Sequence, residues 1–195
     1  MRPLQVGTPA TETEVLAVES ELRLRLPESF RDVVLNFSSE VYWRWFLPDG
    51  TRPPETFRQI FSGECAWSLN RLVQLEENRQ SWLKVCFPNV NDPYDAVWHN
   101  KLAFIEVGNG DLIALDLANS QEADTPVVYL SHEGDDFHGY QLGHNFSDFI
   151  ERWSLLGCPG AEDWQMLPFT SSPQSCLEPY SENAVQWREW FGLKL

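Results

Sequence analysis

The stretch GNGDLIALDL, Gly108 to Leu117, decides the fold. Two glycines and two acids beside an alternating apolar run admit three readings: a phosphate cradle, a metal loop or a hairpin. A dinucleotide fingerprint needs three spaced glycines opening a helix, and a Walker loop ends in Gly-Lys-Ser/Thr. Here a strand pattern follows and no Lys is near. A calcium loop needs ligands at alternate positions and a terminal Glu, and that pattern is missing. Asn109-Gly110 between two apolar runs predicts a two-residue type I′ turn, because both central positions need φ > 0. Pairing Gly108 with Asp111 sets Val107 opposite Leu112, Phe104 opposite Leu115 and Leu102 opposite Leu117. Ile105 then meets Ala114 on the other face, and Asp116 meets Ala103 near a strand end. Both faces are apolar, as in strands covered on both sides.

Upstream of the hairpin the pattern is helical first and extended second. Thr11 and Glu14 fit a capping box, with Val15, Val18 and Leu22 following at helical spacing. Pro27 breaks that helix and opens another, whose Phe30, Val33, Val34 and Phe37 share one face. Residues 41–48 read as a strand, and ECAWSL (64–69) as a short strand leading into a helix over 70–86. PNVNDPYD (88–95) is turn chemistry. Downstream, 125–132 is the next strand. NFSDFIERWSLLG is a helix capped by Asn145 and stopped by Gly157. After a Pro- and Ser-rich stretch, 181–192 predicts a last helix docked by Val185 and Trp190.

Charge is the informative part of the composition. Lys+Arg 14 against Asp+Glu 29 gives −15 at pH 7, which disfavours nucleic acid and anionic membrane as partners. Residues 1–101 hold 11 basic and 14 acidic side chains; residues 102–195 hold 3 and 15. Such a one-sided field steers a basic partner. The first residues carry no secretory signal, and no run is long enough to span a membrane, so the cytosol is the expected location.

The densest cluster of reactive types is HEGDDFHG, His132 to Gly139. Zincins place two His four apart on one helix face with Glu beside the first. Position 136 is Asp and Gly134 interrupts, so an exposed acidic loop is expected. Ser131-His132 lacks a nucleophile elbow, and Cys65, Cys86, Cys158 and Cys176 form no CxxC pair. No catalytic residue, metal or cofactor is therefore expected. The expected contact residues for a basic protein are Asp111, Asp116, Glu133, Asp135 and Asp136.

Several of these pieces occur together in one family. LRLPESFRDVVLNFS after an early helix with Glu19, then GNGDLIALDL, TPVVYLSHEGDD and NFSDFIERW, resemble the SUKH superfamily over roughly residues 10–157. That superfamily includes yeast cell-wall-synthesis regulators and bacterial toxin-immunity proteins. The resemblance implies an α+β domain, 1–157, with a mainly antiparallel sheet packed on helices, and a C-terminal helical extension, 158–195, packed on it. It implies no catalytic centre. It further implies a cytosolic antidote that binds a basic, nuclease-type toxin domain, or else a regulatory scaffold or ligand-sensing protein of the yeast kind.

Overall fold

A computed structural model describes residues 3–119, 123–134 and 136–194. A short strand, β1 (Gln5–Val6), precedes α1 (Glu12–Leu22) and α2 (Glu28–Asn36). The Thr11 hydroxyl accepts the Glu14 N–H at 3.3 Å, while the Glu14 carboxylate accepts the Thr11 N–H at 2.7 Å. These bonds satisfy donors that a helix start leaves free. Between α1 and α2 the Glu19 carboxylate, buried at 9% exposure, accepts the Leu26 N–H at 2.9 Å. In α2, Phe30 and Val34 are buried. Phe37 follows the helix end and is exposed, so the expected apolar face stops one turn early.

β2 (Glu40–Phe46) and β3 (Ser62–Ser68) pair antiparallel, and with β1 they form a three-stranded sheet in the order β1-β2-β3. Then come α3 (Leu72–Val85) and α4 (Pro93–Trp98). The second of these helices lies where the sequence pattern suggested only a turn. Its signal is local: Asp92 accepts the N–H groups of Tyr94 and Asp95 at 2.8 and 3.2 Å, and Pro93 occupies the first turn.

β4 (Lys101–Glu106), β5 (Leu112–Asp116), β6 (Val127–Leu130) and β7 (Gln141–Gly143) form a four-stranded antiparallel sheet in sequence order. β7 did not stand out in the sequence, being three residues long. α5 (Phe146–Leu155), α6 (Asp163–Met166) and α7 (Glu182–Phe191) complete the chain. The class is α+β. Among the described residues, no helix is long and apolar enough to cross a membrane.

The hairpin is present, with a different turn. Gly110 N–H donates to Val107 O at 2.9 Å and Val107 N–H to Asp111 O at 2.8 Å. The loop is therefore three residues, 108–110, and only Gly110 has positive φ, at +102°. A three-residue loop with glycine in its last position replaces the expected two-residue turn. Register follows the loop: Ile105 faces Ile113, and Glu106 faces Leu112. An irregularity at Phe104 then shifts the ladder again, so Leu102 faces Leu115 and Lys101 faces Asp116.

The second sheet is covered on both faces, as its apolar pattern requires. On one side Phe104 packs on Phe146 and Phe149 (5.2 and 6.0 Å between centroids), and Phe30 on Phe146 at 4.6 Å. On the other, Leu75, Leu83 and Trp98 of α3 and α4 close over Ala103, Leu112, Ala114, Val128 and Leu130. The C-terminal segment enters the larger core through Met166, Phe169, Leu177, Ala184 and Trp187. Of the two residues expected to dock α7, Trp190 packs against the core and Val185 does not. Val185 is 40% exposed, whereas Ala184 and Trp187 are fully buried, because the floor offered by Trp45 and Phe57 sets the rotation.

Candidate functional site

The hairpin loop ends against the loop that follows β6, and Asp111 is the joint. It is the first residue after Gly110, and its side chain is completely buried. One carboxylate oxygen accepts the His132 N–H at 2.9 Å and lies 2.7 Å from His132 Nδ1. A carboxylate can only accept, so Nδ1 carries the proton. The other oxygen accepts the Tyr129 hydroxyl at 2.8 Å and the Asn109 amide at 2.7 Å. Asn109 Oδ1 in turn accepts the Asp111 N–H at 3.0 Å. Asp111, expected at the surface, is an internal brace; a buried carboxylate persists only where donors replace its water.

The loop beyond is pinned from below. His138 Nδ1 accepts the Ser131 N–H at 3.0 Å, and its Nε2 donates to Tyr94 O at 3.0 Å. Its ring stacks on Tyr94 at 3.9 Å. The Tyr94 hydroxyl donates to Ser131 O at 2.6 Å and accepts the Gly134 N–H at 2.9 Å. His132 rests on Trp82, 5.0 Å between ring centres. Both histidines of HEGDDFHG thus serve the loop's shape. Glu133 and Asp136 are left exposed, as expected, while Asp135 lies outside the described residues.

Asp116 does not join this group. It stands at the far end of β5, about 17 Å of strand away, and pairs with buried Lys101 at 2.9 Å. The shifted register is the reason, since it brings Lys101 rather than Ala103 opposite.

Glu162, just before α6, does join it and was not singled out by any motif. Its carboxylate approaches the hairpin loop closely enough that a Cβ on Gly108 would stand 3.2 Å from Glu162 Oε1. Among the described residues, its buried Oε2 accepts no hydrogen bond. Burial, then the charges of Asp111, Asp163 and Glu133, push the Glu162 carboxyl up to about 7. Burial, then Asp111, pushes the Tyr129 phenol far above its ordinary value. The charges of Asp111, Asp163 and Glu133 therefore reach Glu162 at this corner and add to the effect of its burial.

The SMI1 / KNR4 family model (SUKH-1) matches residues 9–152. The chain belongs to this family. No curated protein and no solved structure matches it. Within the SUKH-1 match lie the capped first helix, the hairpin, Asp111 and the 131–139 loop. Glu162 and Asp163 lie beyond it, so the acidic corner combines the family's residues with the segment that follows them.

This arrangement makes stability depend on pH in a definite direction. Glu162 holds its proton in the folded chain up to about 7, whereas its ordinary value is 4.5. Between those values the native state binds the extra proton, so unfolding becomes easier as pH rises through the window. The side chain is partly solvated, which reduces the effect to about 1 kcal/mol. Urea unfolding at pH 5 and pH 8 should show the wild type losing this much more stability than Glu162→Gln. A wild-type-minus-variant difference that stays constant across the range would show that Glu162 is not perturbed.

Proposed function

We propose that this SUKH-1 protein is a non-enzymatic binding module of the cytosol whose acidic corner receives a basic protein domain. In this reading it is an immunity protein that neutralises a nuclease-type toxin. The single observation that carries the reading is the meeting of Glu162 with the hairpin loop beside the exposed Glu133 and Asp136; burial, then the charges of Asp111, Asp163 and Glu133, holds the Glu162 carboxyl high there. A Lys or Arg brought to the corner relieves that repulsion, and nuclease surfaces are basic because they hold phosphates. Glu133 and Asp136, together with Asp135 between them in the sequence, make the contact. Asp111 positions the loop from beneath, and Asp116 is engaged by Lys101. Residues 158–195 are an extension to the family domain that supplies Glu162 and Asp163 to the surface.

The test uses a basic nuclease-type domain, taken from the neighbouring reading frame if that frame encodes one. Glu133→Gln, Asp135→Asn and Asp136→Asn together should slow association about tenfold at low salt while stability changes by less than about 0.5 kcal/mol. The difference should vanish as ionic strength rises and the Debye length falls from about 30 Å at 0.01 M to about 3 Å at 1 M. Equal association rates at low salt would remove the acidic loop from the interface.

A further inference from the structure

Where β7 runs into α5, three metal-ligating side chains of different types converge. His144 links the two elements, Asp148 stands in the first turn of α5, and Cys176 comes from the C-terminal segment. One ligand atom from each lies within 4.8 Å of the others. Cys176 Sγ is 3.8 and 4.0 Å from the two ring nitrogens of His144. The backbone makes this meeting unavoidable. Gln141 N–H donates to Pro173 O at 2.8 Å and Leu177 N–H to Leu142 O at 3.1 Å, so Cys176 is laid beside the end of β7. Cys176 is fully buried and held at φ +60°, a conformation that costs a side-chain-bearing residue free energy.

We propose that His144, Asp148 and Cys176 bind a zinc-class divalent ion that fastens the C-terminal segment to the family domain. Imidazole, carboxylate and thiolate together suit a borderline ion in tetrahedral coordination, with water as the fourth ligand on the exposed His144 side. Tetrahedral bonds of about 2.0–2.3 Å require ligand atoms roughly 3.3–3.7 Å apart. The sulfur–nitrogen separation of 3.8 Å is already close to that, and the exposed His144 ring has room to close the remainder by a small rotation. The carboxylate has capacity left. Asp148 accepts the His144 N–H at 2.7 Å and Arg152 Nε at 2.8 Å from each oxygen, three contacts against roughly four lone-pair sites. Arg152 orients the Asp148 carboxylate from behind, while the Gln141 amide nitrogen, 3.2 Å from His144 Nδ1, must give up that contact when the imidazole ligates the ion. Binding replaces the thiol S–H bond by a sulfur–metal bond and releases one proton to solvent. The three residues escape sequence inspection because 32 positions separate His144 from Cys176.

Cobalt(II) is the probe, titrated into metal-stripped full-length protein. A thiolate-to-cobalt charge-transfer band should saturate at one equivalent and persist in Cys86→Ser, which removes the exposed thiol. It should disappear in Cys176→Ser. His144→Ala changes an exposed side chain and keeps the fold even if the cysteine variant does not. It should weaken cobalt affinity at least tenfold, since loss of even an outer partner commonly costs about 10–100-fold. Zinc should raise the melting temperature of wild type and not of His144→Ala. A titration without the charge-transfer band, a band that survives Cys176→Ser, or equal affinity in His144→Ala would overturn the site. None of these results bears on the acidic corner, which uses other residues.

Discussion

Asp111→Ala is expected to lower the unfolding free energy by about 3–5 kcal/mol, the range for removing one member of a buried charged network. The residue carries its cost in what it leaves behind. The Tyr129 hydroxyl, the Asn109 amide and both His132 donors lose their acceptor together. Tyr129 is fully buried, so water cannot replace the lost bond there. Asp111→Asn should cost less, because one oxygen remains for His132 and the new NH2 can donate to the Tyr129 hydroxyl, although it meets the Asn109 amide donor to donor. Denaturant midpoints give the stability, and hydrogen exchange at the His132 N–H reports the loop. A loss below about 1 kcal/mol with unchanged exchange would mean that the corner is hydrated and that Asp111 organises nothing.

Trp187→Ala should be nearly as damaging, at about 3–5 kcal/mol. The ring is fully buried among Trp45, Phe57, Phe169 and Phe191, with centroids 6.4, 5.6, 6.2 and 5.0 Å away. Its Nε1 donates to Leu156 O at 2.8 Å, so truncation leaves both a cavity and an unpaired carbonyl. Tryptophan fluorescence and far-UV circular dichroism should report the same lowered midpoint, since α7 and β2 share one core. A small loss confined to one probe would instead make residues 158–194 an appendage on an independent domain. The distinction bears on function, because Glu162 and Cys176 both sit in that segment.

Element ends were legible wherever a backbone donor is satisfied within a few residues. Thr11 with Glu14, Asn145 with Asp148 and Ser181 with Ala184 are all closed locally, and each helix starts where its cap requires. Asp92-Pro93 carried the same signal for α4, masked by the surrounding Asn and Pro residues that also make turns. The hairpin was legible as a hairpin, since Asn-Gly between apolar runs leaves few alternatives. Its register was not. A three-residue loop and the irregularity at Phe104 each displace the ladder, and neither is encoded by the turn residues alone.

The family pieces, the α+β class and the acidic bias of the second half are properties of the chain read in order, and the sequence by itself determined them. Local hydrogen bonding and apolar periodicity act over only a few residues, so they survive without knowledge of the rest. Which acids face water was decided by tertiary structure alone. Asp111 and Glu133 look alike in the sequence, yet Tyr129 and His132 enclose one and leave the other exposed. Lys101 claims Asp116 through a register shift, and Glu162 reaches the same corner from beyond the family domain. Burial and charge depend on distance in space, and residues fifty positions apart set that distance only once the core has closed.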